Sequence, residues 1–140
     1  MPSLKISNIE SRISKQFQIS SDQKPKRHDL EERTERFAKQ VRSFVKGIKR
    51  STENLEDIKQ MIRSSGSIAA NYIEANEALS QKDFLMRVKI CRKEAKETGL
   101  WLRLIDAESS NQTKEREMLV AESVELMKIF GTIVRKSEFF

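Results

Sequence analysis

A chain of 140 residues can bury one real core, and its 34% charged and 6% aromatic residues, with four glycines and two prolines, favour helices over strands and turns. No apolar stretch approaches the roughly 20 residues that span a bilayer, and the N-terminus lacks the apolar run of roughly 7–15 residues in a signal peptide. The single cysteine, Cys91, excludes an internal disulfide, so the cytoplasm is the default expectation.

The net charge of +6 is unevenly spread. Residues 1–28 hold six Lys/Arg against two Asp/Glu, and residues 29–140 hold 21 against 19. The first segment, with six serines and the run Lys24-Pro25-Lys26-Arg27, reads as a basic leader, separate from a bundle over 29–140. Ile6, Ile9, Ile13 and Phe17 recur at near-helical spacing, so the leader is either a weakly ordered arm or a short docking helix. A basic arm can hold phosphate backbones, and a solvated tail is the plainer reading.

The first helix follows Asp29, where Leu30, Thr34, Phe37, Val41, Phe44 and Ile48 step by four and three along one face. The stretch Ser51-Thr52-Glu53-Asn54 breaks it. A second stripe, Leu55, Ile58, Ile62, Ser65, Ala69 and Tyr72, defines the next helix. Its small-residue centre around Gly66 suits close approach of another backbone, or else a helix break. The third helix starts at Ser80 with Asp83 three residues on, as in a capping box, and carries Phe84, Val88, Cys91, Ala95, Thr98, Leu102 and Ile105. Ser109-Ser110-Asn111-Gln112-Thr113 reads as the loop before a fourth helix from about Lys114 to Arg135. That helix has two adjacent stripes, Leu119, Ser123, Leu126, Phe130, Ile133 and Val120, Val124, Met127, Gly131, Val134. One stripe suffices for its own core; the second suggests a subunit contact. Four such helices predict an all-α, antiparallel up-down-up-down four-helix bundle.

Catalytic chemistry finds no foothold. The one histidine, His28, lies in the leader, so the Glu-x-x-His pairs of a di-metal carboxylate bundle cannot form. Cys91 sits on an apolar stripe without a histidine partner. The expectation is no enzyme, no cofactor and no metal. Two polar sets remain. Arg63, Ser67, Asn71, Glu74, Glu94, Glu97 and Thr98 lie along the second and third helices, as a hydrogen-bonded layer that fixes register or assembly, or as a ligand site. Arg42, Lys46, Lys49 and Arg50 on the first helix and its exit and Lys89, Arg92, Lys93 and Lys96 on the third join Lys24, Lys26 and Arg27 as candidate nucleic-acid contacts, with a solvated face as the plain alternative.

The run from Arg63 to Ala75 resembles the Arg-Ser-x-x-Ser-Ile-x-Ala-Asn-x-x-Glu-Ala signature of the four-helix-bundle, 23S rRNA intervening sequence family. Lys82-Asp83-Phe84, Lys93-Glu94-Ala95-Lys96-Glu97-Thr98 and Trp101-Leu102-Arg103-Leu104 resemble its third helix, and Glu35-Arg36-Phe37-Ala38 its entry to the first. The resemblance covers roughly residues 34–137. It implies a homopentameric ring without catalytic residues. It also implies kinship with accessory variability determinants of diversity-generating retroelements, basic pentamers that bind nucleic acid and a reverse transcriptase. The leader and the mildly basic bundle depart from that pattern.

Overall fold

The structure, a computed structural model, describes residues 27–138. Within them stand four helices: α1 (Arg27–Lys46), α2 (Thr52–Asn76), α3 (Gln81–Leu104) and α4 (Ser110–Ser137). The all-α four-helix expectation holds. α1 begins two residues ahead of the expected boundary at Asp29, and the proposed leader helix through Ile6 and Phe17 lies outside the described residues.

The stripes of α1 and α3 are buried as their spacing requires, from Leu30 to Ile48 and from Phe84 to Ile105. On α4 the stripe from Leu119 to Ile133 is buried too, while its neighbour is mixed, with Gly131 and Val134 buried and Val120, Val124 and Met127 half-buried. α2 departs from expectation. Its core face is Asn54, Ile58, Met61, Ser65, Ile68, Tyr72 and Ala75, whereas Leu55 is 45% exposed and Ile62 and Ala69 are half-buried. The face is rotated because Asn54 is buried as a polar bridge. Its amide donates to Lys49 O at 3.0 Å and Asp106 O at 3.2 Å, and its Oδ1 accepts from the Asp106 N–H at 3.0 Å.

Two interhelix segments are shorter than the sequence suggests. Ser51 is the N-cap of α2, so Thr52 to Asn54 form its first turn. Ser109 and Gln112 form a reciprocal capping box, which turns the expected loop over 109–113 into the start of α4. Ser80 caps α3 by accepting from the Asp83 N–H.

The α2–α3 and α3–α4 seams are the most extensive, and the α1–α4 seam is slighter than the α1–α2 seam. Several polar bonds join the start of one helix to the end of another. Asn76 donates to Glu31 at 2.6 Å, Gln81 to Ser137 O at 2.8 Å, and Gln112 to Gly47 O at 2.6 Å. Gly66 does not break α2 and does not receive a backbone. The Arg42 guanidinium lies there, 3.4 Å from where a Cβ would stand. The close approach is at Gly99 of α3 instead, where a Cβ would meet Ser123 Oγ of α4 at 2.8 Å.

Candidate nucleic-acid interface

The cations proposed for α3 divide between two faces. Lys89, Arg92 and Lys96 step by three and four along the side of α3 turned to α4, while Lys93 lies on the outer face. Lys89 Nζ pairs with Glu138 at the end of α4 at 3.6 Å. Arg92 reaches across to Gly131, its Cδ 3.7 Å from a notional Cβ, and Arg135 Nη1 comes within 3.5 Å of the same point. Two guanidinium-bearing side chains from different helices thus share one glycine dent. Seven residues beyond Lys96, Arg103 lies over Gly99 and lines a shallow pocket with Arg116, Glu117 and Val120. Arg116 also donates to Ile105 O at 3.0 Å, which satisfies a carbonyl just past the end of α3.

The result is a basic track along the α3–α4 seam: Lys89, Arg92, Lys96, Arg103, Arg116 and Arg135. Sequence reasoning missed the last three. The continuation to Arg103 was legible in the helical spacing. The α4 arginines were not, because only packing brings Arg135 beside Arg92.

The α1 set does not join this track. α1 and α3 share no extended seam. Arg42 donates to Ala38 O at 3.3 Å and covers Gly66, and Lys49 pairs with Glu108 at 3.7 Å. Lys46 and Arg50 are exposed near them. Lys24 and Lys26 lie outside the described residues, and Arg27 opens α1.

The polar set on α2 and α3 assembles in two groups. Arg63 spans Glu94 at 3.4 Å and Glu97 at 3.7 Å, and behind it Thr98 Oγ1 donates to Ser64 Oγ at 2.7 Å in the buried seam. One turn further, Asn71 donates to Ser67 at 2.9 Å and accepts from Arg87 at 3.0 Å. Glu74 stands exposed beyond both groups. Ser64 and Arg87 were not singled out from sequence. Burial pushes the Glu94 carboxyl above its usual range, against the opposing pull of Arg63, and nearby Glu97 adds to the rise. Cys91 is fully buried, and burial raises its thiol to about 12, so the thiolate is scarce near neutral pH. Among the described residues no cluster of three or more His, Cys, Asp or Glu could hold a metal ion, and no helix is long and apolar enough to cross a membrane.

Four amphipathic helices about one core, with a basic seam on one side and a polar seam on another, define a four-helix-bundle protein. The chain belongs to the 23S rRNA-intervening sequence protein family, whose profile matches residues 26–132. It is similar to a solved structure from Bacteroides thetaiotaomicron described as a protein with unknown function from the S23 ribosomal protein family. That structure is 28% identical with a TM-score of 0.67, and the match covers 78% of this chain and 97% of the other. No curated protein matches.

Proposed function

We propose that this chain is a non-enzymatic, oligomeric bundle of the cytoplasm that binds RNA or DNA through the basic α3–α4 seam. The observation that carries the reading is the meeting of Arg92 and Arg135 over Gly131. Two arginine side chains from different helices at one dent can offer paired N–H donors to a phosphate, with Arg135 Nη2 also donating to Thr132 Oγ1 at 3.1 Å. Lys89, Lys96, Arg103 and Arg116 continue the positive charge along the seam, as contacts to phosphates rather than to base edges would need. Lys24, Lys26 and Arg27, at and just ahead of the start of α1, add positive charge to the same task. Assembly as a homopentamer, which the family resemblance implies, would repeat the track around a ring and strengthen the field.

The test is the mobility of a labelled structured RNA and a duplex DNA with the full chain at two salt concentrations. Binding that weakens steeply with salt, and that Arg92→Ala/Arg135→Ala reduces by about ten-fold or more, is the expected result. Equal binding by the variant would remove the seam from the interface, and no shift in any lane would remove nucleic acid as the partner.

A scaffold for protein partners, a reverse transcriptase among them, is the second reading. The exposed Met86, Leu100 and Leu104 on the outer face of α3 favour it, since large apolar side chains grouped on one helix face suit protein contact.

A further inference from the structure

The stripe of α3 turned away from its core reads Lys82, Met86, Ile90, Lys93, Glu97, Leu100, Leu104. Its steps of four and three hold these residues along one side of the helix, opposite the buried line from Phe84 to Leu102. Met86, Leu100 and Leu104 are 51%, 39% and 55% exposed. Around Met86 and Ile90 the surface sinks into a groove of about 450 Å³, rimmed by Lys82, Lys89 and Lys93.

Charge along the stripe is ordered. Lys82 and Lys93 mark its first half, and Glu97 opens the second. A face that runs from basic to acidic with apolar residues between is complementary to its own reverse. When the α3 of a second copy lies antiparallel, with a two-fold axis midway between Lys93 and Glu97, Lys93 meets Glu97 of the second copy. In the same register Ile90 meets its Leu100 and Met86 meets its Leu104. Each pair then occurs twice by symmetry. Three consecutive matches, one of opposite charge and two apolar, arise from one alignment. Glu97 is suited to the role, because Arg63 holds it at 3.7 Å while its side chain stays 40% exposed.

We infer that the outer face of α3 is a self-complementary docking surface for a second copy of this chain, paired antiparallel about a two-fold axis. Shallow crossing of two heptad-like stripes is the packing such faces adopt, with flanking charges setting direction and register. The contact goes beyond the ring reading. A two-fold contact makes pairs, whereas a five-membered ring needs a separate head-to-tail surface.

Register gives the test. In the full chain carrying Met86→Cys and Leu104→Cys, the two new thiols are about 27 Å apart along one helix, beyond the roughly 7 Å Cα separation that a disulfide tolerates. A bond between them must therefore join two copies. Mild oxidation is expected to convert most of the double variant to covalent dimer on a non-reducing gel, and neither single variant. In sedimentation, Lys93→Glu is expected to weaken pairing about ten-fold or more, since it sets a new carboxylate against Glu97 of the second copy, twice by symmetry. Lys93→Glu/Glu97→Lys is expected to restore it, because the swapped charges meet again. Absence of the covalent dimer, or equal weakening in the single and the charge-swapped variants, would overturn the contact. A five-subunit particle that none of these changes alters would overturn it and leave the ring standing. Cross-linked pairs without five-subunit particles would support it while the ring reading fails.

Discussion

Two glycines on helix surfaces predict opposite outcomes for the same substitution. At Gly66 a methyl group would sit 3.4 Å from Arg42 Nη2, the far end of a flexible side chain that can move aside. Gly66→Ala is therefore expected to raise stability by up to about 1 kcal/mol through helix propensity. At Gly99 the methyl would lie 2.8 Å from Ser123 Oγ, whose hydroxyl donates to Val120 O at 2.7 Å, and 3.2 Å from Arg103 Nη1. Gly99→Ala is expected to cost about 1–3 kcal/mol, with overpacking outweighing propensity. Thermal melts of both variants check this; a stabilised Gly99→Ala would contradict the close α3–α4 approach. Glu94 supplies a pH test. A carboxyl held above its ordinary value binds more protons folded than unfolded between the ordinary and raised values, so its contribution to stability improves as pH falls through that window. Asp57, raised by burial and by Glu53 and Glu56, acts in the same sense. Urea titrations across that window are expected to show wild type gaining on Glu94→Gln as pH falls. A difference independent of pH would mean that Glu94 keeps its ordinary value.

At the scale of elements, Asn54 ties the start of α2 to the segments that follow α1 and α3. Asn54→Ala would leave the Asp106 N–H and the Lys49 and Asp106 carbonyls without their bonds to the Asn54 side chain, an expected loss of about 1–3 kcal/mol by denaturant unfolding. Asn71→Ala is expected to destabilise more than Glu74→Ala, because Asn71 joins Ser67 to Arg87 while Glu74 is exposed. The reverse order would shift the importance of this motif to assembly. α1 and α3 were legible because apolar residues occupy nearly every inward position. α2 was misread in part because its buried face includes Asn54 and Ser64, and polar or small residues send no hydrophobic signal. The first turn of α4 resembled a loop, although Ser109 and Gln112 stood at capping-box spacing.

For the whole molecule, the basic seam is the feature least accessible from sequence. Its α3 half follows helical spacing, but Arg116 and Arg135 join it only when α4 packs alongside. The balanced net charge of residues 29–140 conceals this one-sided placement, because part of the acid, including Glu31 and Glu122, is held in contacts between other helices. Arg33 grips Glu122 through two bonds of 2.7 and 2.8 Å across the α1–α4 seam, and that hydrogen bonding raises the Arg33 pKa further. The acid so engaged lies away from the track, where Glu138 pairs with Lys89 and Glu117 stands beside Arg103 and Arg116. A change of charge on the seam should thus alter binding while leaving the fold intact.

The most direct measurement is the salt dependence of RNA affinity for the wild-type chain and for Arg92→Ala/Arg135→Ala. Each phosphate contact contributes about 0.7–0.9 to the slope of log affinity against log salt. The variant is expected to keep its helical melt and to lose roughly 1.4–1.8 from that slope, which would place both arginines on phosphates. An unchanged slope in a folded variant would contradict the seam as the nucleic-acid interface.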